Sequence, residues 1–347
     1  PFGRIFRNLL IFGLVMLLLG EFLFRKRYAE PERSVTPEIR AIQRHLVLNE
    51  ALGFTWKPNI MATDEITFEN QDTDSYPLST DQWGFINTPD AIREREGNMH
   101  VDVVGLGDSF LEHGTHVLTD FFSIHDLSYY NLALLRQSPP QYTEILKSRA
   151  IPMNPNWIVY SIFENDFQEI VDYRNWKASD DDWFTFHSGT WCGAPTPQTS
   201  EARFREKYLR GYSALYGVIQ SKLLGDALSI DGLPEGSVEL IHAEIAEAHD
   251  TALDAKVGFV VLLIPVRSSV LGTPSLEAKA YDAILDRLAK EGIGAVDLRD
   301  VFAADPDPTS LYYRVNGHWN AKGHAYIARK MLEMLRQARV IDPLSQN

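Results

Sequence analysis

One cysteine, Cys192, is all that the 347 residues contain. That scarcity excludes an intramolecular disulfide and a thiolate zinc cluster, so the fold stands on packing, and the lone thiol reads as a buried structural residue. Basic residues are short as well: 33 Lys and Arg face 47 Asp and Glu, a formal charge of -14, with no basic stripe. Nucleic acid binding draws on clustered Lys and Arg, so that class of partner is excluded. No internal repeat and no low-complexity tract interrupts the chain, and a long hydrophobic run occurs at one place only. Residues 9–24 are apolar apart from Gly13, Gly20 and Glu21, and Arg4, Arg7, Arg25, Lys26 and Arg27 flank them. A membrane span takes about 20 apolar residues, with a usable floor near ~17, and no small-x-small cleavage site follows the run. The segment predicts an uncleaved, single-pass membrane anchor over residues 1–27. Glu21 falls near one end, where its carboxylate can reach the interface. The flanking charges, two basic residues before the run and three after it, leave the orientation open.

With 45% hydrophobic residues, a chain of this length can bury one large α/β core. Residues 28–50 are polar with a short helical spacing (Ile39, Ile42, Leu46) and suit a juxtamembrane stalk. Residues 51–98 carry Gly, Pro, Asn, Asp and Thr with little periodicity and read as an extended lead-in with turns. An α/β domain over 99–340 follows. Short apolar runs at 101–107, 129–135, 157–163, 258–265 and 294–298 predict five buried strands. Helical spacing marks 141–150, 238–256, 276–291 and 321–340. Strands alternating with helices predict a parallel sheet covered on both faces, with ligands at the carboxyl ends of the strands. Residues 171–234 break the rhythm and are rich in Trp, Asp and Tyr. They predict a cap inserted beside the active face, with a surface excursion as the alternative.

Gly107-Asp108-Ser109-Phe110 follows the first core strand. A serine there stands where a helix begins, and the helix's free N–H groups and dipole favour negative charge. Alone the tetrapeptide is weak, because Gly-Asp-Ser turns commonly cap helices. Three more segments strengthen it. Phe163-Glu164-Asn165-Asp166 closes the third strand, and the Asn165 carboxamide can donate to an oxyanion. The stretch from Asn131 to Pro139 closes the second and offers a backbone N–H. Asn316-Gly317-His318-Trp319-Asn320, with Gly323 and His324, supplies an imidazole from a loop. His113 and His116, three apart, are expected in a loop and solvated, and no other pair has metal-ligand spacing, so no metal and no cofactor are expected.

The order Gly-Asp-Ser-Phe, Asn-Leu-(small)-x5-Pro, Glu-Asn-Asp and Gly-His-Trp-Asn-x2-Gly-His resembles the SGNH (GDSL) hydrolase superfamily, particularly its bacterial membrane-anchored, carbohydrate-active members. Leu52-Gly53-Phe54, Lys57-Pro58-Asn59 and Trp83-Gly84-Phe85 resemble the lead-in such proteins carry. The resemblance covers roughly residues 50–340, with the four blocks as its specific part. It implies a three-layer, flavodoxin-like α/β fold, with Ser109 as nucleophile and His318 as base. Its oxyanion hole is formed by Ser109 N–H, a block-two N–H and Asn165. The block-two glycine aligns with Arg136, which keeps a backbone N–H and brings a cation. Asp108, Arg136 and Trp319 are placed to contact substrate. The acid usual two or three positions before the histidine is replaced by Asn316 or Val315. Asn316 can accept the Nδ1–H bond but cannot stabilise imidazolium, and the matching Asp to Asn change in a serine protease costs about 10⁴ in rate. Asp305 or Asp307 could supply a carboxylate instead.

The expected activity is an esterase or O-acyltransferase acting on a short acyl group, acetyl first, of a small ester or acylated carbohydrate. Aromatic residues of the cap (Trp176, Trp183, Phe184, Phe186, Trp191) could stack on sugar rings. Two alternatives stand beside it: a weakened domain that binds glycan or envelope protein partners, and a lipase-like esterase. The expected location is the bacterial inner membrane, with the catalytic domain periplasmic or extracellular.

Overall fold

The computed structural model describes residues 45–67, 75–97, 100–187, 233–265, 267–270, 276–313 and 317–341. The chain divides into two units, 45–183 with 229–347 and 1–44 with 184–228, and of the second only residues 184–187 are described. The first unit holds the central sheet.

Runs of β-branched and aromatic residues form its central strands. They are β5 (Val103–Leu106), β6 (Tyr129–Asn131), β7 (Trp157–Ile162), β8 (Gly258–Leu263) and β9 (Ala295–Asp297), fully paired in the order β6-β5-β7-β8-β9. Every pairing is parallel. By first appearance among these five the order is 2-1-3-4-5, the flavodoxin-like winding, whose switch point lies beside the first strand. Side chains alternate between faces. Val103, Val159 and Leu262 join one core with α3 (Thr115–Ile124), α8 (Leu298–Ala303) and α9 (Ala321–Ile341), centred on Phe122, Phe302, Trp319 and Met331. Their alternates Val104, Ile158, Tyr160 and Val261 are equally buried and face the other way. There Tyr160 meets Tyr142 of α4 (Pro139–Ile145), and α5 (Asp166–Lys177), α6 (Ser237–Asp254) and α7 (Leu276–Glu291) complete the layer. The sheet is thus covered on both faces, as the alternation of strands and helices implied.

The lead-in is more ordered than its composition suggested. Two antiparallel hairpins, β1 (Leu46–Asn49) with β2 (Gly53–Trp56) and β3 (Met61–Thr67) with β4 (Ser75–Ser79), precede α1 (Pro89–Glu96), which Thr88 caps. Leu46, assigned above to a helical stalk, begins a strand. Phe54 and Trp56 are fully buried, and Asn87 exchanges side-chain hydrogen bonds with the Asn131 backbone at 2.8 and 2.9 Å. These contacts dock the lead-in onto the end of β6.

The start of the supposed cap is also core. Trp176 and Trp183 are buried and pack edge to face with centroids 5.0 Å apart, and Trp183 lies against Phe54. Neither has a face open to a sugar. Trp191 and Cys192 lie outside the described residues, as does the segment 1–27 expected to be a membrane anchor; among the described residues no helix is long and apolar enough to cross a membrane.

Candidate active site

Three strand ends and one loop build the site. β5 runs into Gly107, where an added Cβ would meet Ser161 Oγ at 1.8 Å, so a side chain has no room there. Asp108 then caps α2 (Ser109–His113), accepting Phe110 N–H at 3.0 Å. This cap holds Ser109 at the first helical position, where the N–H has no intrahelical acceptor.

The imidazole comes from the far end of the chain. Residues 310–313 pair with residues 317–320: Tyr312 bridges Trp319, and Tyr313 N–H donates to His318 O at 2.9 Å. Asn320 staples this loop, donating from Nδ2 to Ser310 O (3.0 Å) and Tyr312 O (3.1 Å) and accepting Gly323 N–H at the start of α9 (3.0 Å). A Cβ on Gly323 would meet Leu311 O at 2.1 Å. The loop so fixed brings His318 Nε2 to 2.7 Å from Ser109 Oγ. The ring of His318 stacks on Phe110 (4.6 Å, 29°) and lies 4.6 Å from the ring of His113. Burial, and then the charge of Arg136, push His318 down to about 4, so it is neutral and able to accept a proton over most of the pH range.

Arg136 sits in a turn closed by Gln137 N–H to Leu134 O, and its φ of 56° is the left-handed conformation that favours glycine. This is the position where the resemblance has glycine. Holding a non-glycine residue there costs about 1–2 kcal/mol. The side chain is 40% exposed, with Nη1 3.8 Å from Glu169 Oε1. That separation is too long for a hydrogen bond, and burial outweighs the attraction: Glu169 is pushed up to about 8. Asp108 is likewise raised to about 6 by burial, against the Phe110 N–H bond and the facing Asn165 carboxamide. Asn165 stands between β7 and α5, immediately before Asp166. Asp166 takes Phe163 N–H (2.7 Å) and Tyr142 O–H (2.8 Å) and is raised well above the ordinary carboxylate range by burial.

The structure thus brings together Ser109 and His318 directly, with Arg136, Asp108 and Asn165 around them. Asn316 lies outside the described residues. Two expected substrate contacts are core residues instead. Trp319 is fully buried, stacked on Phe302 and edge-on to Phe110, and Asp108, 1% exposed, serves the helix cap. Asp305 and Asp307 fix their own turn, accepting Asp307 N–H and Thr309 O–H. His113 and His116 are half-buried in helices, because Gly114 joins α2 to α3 without an intervening loop. Glu112 was not singled out from the sequence, although its place three residues after Ser109 puts both on adjoining turns of one helix. Among the described residues no group of three or more His, Cys, Asp or Glu could hold a metal ion.

A flavodoxin-like parallel sheet thus carries a serine and a histidine in contact at its carboxyl edge. The family model described as SGNH hydrolase-like domain, acetyltransferase AlgX, matches residues 243–347, the part that holds β8, β9, His318 and α9. Solved structures similar to this chain include a GDSL-like lipase from Bacteroides thetaiotaomicron (12% identity, 72% of this chain and 98% of that one, TM-score 0.42). A lipase/acylhydrolase from Enterococcus faecalis is similar at 12% identity over 67% of this chain and 97% of its own, TM-score 0.37. An acetylxylan esterase from Geobacillus stearothermophilus, solved as a catalytic mutant, gives 12% over 68% and 95%, TM-score 0.35. No curated protein matches the chain.

Proposed function

We propose that this chain is a serine esterase or O-acyltransferase that removes or transfers a short acyl group, acetyl foremost, on a carbohydrate. The observation that carries the reading is the 2.7 Å approach of Ser109 Oγ to His318 Nε2, a nucleophile and base within proton-transfer reach. His318 takes the Ser109 proton as Oγ bonds to the ester carbonyl carbon, and the carbonyl π electrons move to oxygen. The tetrahedral oxyanion is held by Ser109 N–H, Arg136 N–H and the Asn165 carboxamide. Its collapse breaks the bond to the alkoxy group, which leaves with the proton from His318 as an alcohol. Water or a sugar hydroxyl, deprotonated by His318, then takes the acyl group from Ser109 and restores the enzyme. The acetyltransferase description of the family matched over 243–347 supports acetyl as the group carried. The apolar run at 9–24 supports a membrane tether for the catalytic domain.

The test is hydrolysis of p-nitrophenyl acetate by the wild type and by Ser109→Ala. Loss of turnover by about 10³-fold or more is expected. Unchanged turnover in the variant removes Ser109 from the mechanism.

A further inference from the structure

Glu112 has no part in the steps above, yet it is 1% exposed and both its oxygens are occupied. The Trp56 indole N–H donates to Oε1, and Leu135 N–H donates to Oε2 at 2.6 Å. The second bond falls on the turn that runs from Leu134 to Gln137 and contains Arg136. That turn is held at two other points, by Leu134 N–H to Gly107 O (3.0 Å) and Gln137 N–H to Leu134 O (3.2 Å). Leu135 is its first central residue and Arg136, at φ 56°, its second. With both ends pinned, the remaining freedom is rotation of the Leu135 corner, and that is where the Glu112 carboxylate binds.

We propose that Glu112 is a positioning residue for the oxyanion turn: by holding Leu135 N–H it sets the direction of the adjoining Arg136 N–H relative to Ser109. Glu112 and Ser109 share α2, and Gly107 just before it holds Leu134, so the nucleophile and the donor turn are fixed to one short segment. Trp56 fastens the other oxygen, which keeps the carboxylate from rotating away. This inference rests on the esterase reading above.

Glu112→Gln keeps the length but sets an NH2 against Leu135 N–H in one orientation and against the Trp56 N–H in the other. Repulsion then drives the side chain out from between the two donors, and the Leu135 corner is no longer pinned. On p-nitrophenyl acetate its kcat is expected to fall ~10²-fold, the size of losing one oxyanion donor, with KM within about threefold. Trp56→Phe leaves the Leu135 bond in place and is expected to lose less than about tenfold in kcat. Amide hydrogen exchange of residues 134–137 is expected to speed up in Glu112→Gln while that of β5 is unchanged. Should Gln prevent folding, Glu112→Asp, too short to reach both donors, takes its place. A kcat within about threefold of wild type overturns the proposal, as does a Trp56→Phe loss equal to that of Glu112→Gln. Absence of Ser109-dependent turnover in the wild type would count against the esterase reading alone. Exchange then decides for Glu112: unaltered protection of 134–137 overturns its role, and faster exchange supports it.

Discussion

His318 is enclosed by Phe110 and His113, and that enclosure decides which form of the ring faces Ser109. Removing an imidazolium from water is costly, and the Arg136 guanidinium adds repulsion, so protonation is pushed down to about 4. A base works only when neutral, so kcat/KM is expected to be flat through the neutral range and to fall on the acid side near about pH 4. Arg136→Gln keeps the backbone N–H at 136 and removes the charge. The acid limb is then expected to move to higher pH, with burial still holding it below the ordinary imidazole range. A pH profile of p-nitrophenyl acetate hydrolysis measures this, and a limb that stays put or moves lower contradicts it. The meeting of Ser109 with His318 could be read from residue type and order, because a hydroxyl and an imidazole at such positions are chemically distinctive. Asp108 and Trp319 were expected to contact substrate because they adjoin Ser109 and His318 in sequence, yet both are buried. Adjacent residues on a helix start or a bridge point to different surroundings, and these two point inward. Glu112 was illegible for the opposite reason: its partners Trp56 and Leu135 are remote in sequence.

Asn320 and the start of α9 show how one part of the chain can aim a side chain it does not contain. Asn320 makes three hydrogen bonds that close the loop carrying His318 and start α9. At about 1 kcal/mol net for each bond, Asn320→Ala is expected to destabilise the fold by ~2–3 kcal/mol and to lower kcat as the loop loosens. Urea unfolding with parallel kinetics checks this, and a change under about 0.5 kcal/mol contradicts the staple. Elements in the parallel sheet were legible because buried strands are nearly continuous apolar runs: all five appear within a few residues of their expected places. The hairpins of the lead-in were not. β1, β2 and β4 are short, and β2 and β4 hold Gly53 and Pro77, which read as turn formers. Their order comes from docking on the β6 end through Asn87 and Phe54, a tertiary effect.

Across the whole molecule, the 2-1-3-4-5 winding places the carboxyl ends of β6, β5 and β7 side by side. Segments carrying Arg136, Ser109 and Asn165 therefore meet without any of them being long. The loop before the last helix adds His318, which lies 209 positions from its partner. Alternation of strand and helix indicated a parallel sheet, but strand order is a property of crossovers and cannot be read from apolar runs. The motif order supplied it, through resemblance, and the sheet has that order. The claim on which all else depends is that Ser109 is a nucleophile activated by His318. Incubation with an alkyl fluorophosphonate tests it most directly: Oγ bonds to phosphorus, fluoride leaves with the serine proton taken by the base, and the intact mass rises by one phosphonyl group. The expected result is a single adduct on the peptide containing Ser109, formed at least about 10²-fold more slowly in His318→Ala. An adduct on another residue, or equal labelling rates with and without His318, would contradict the account.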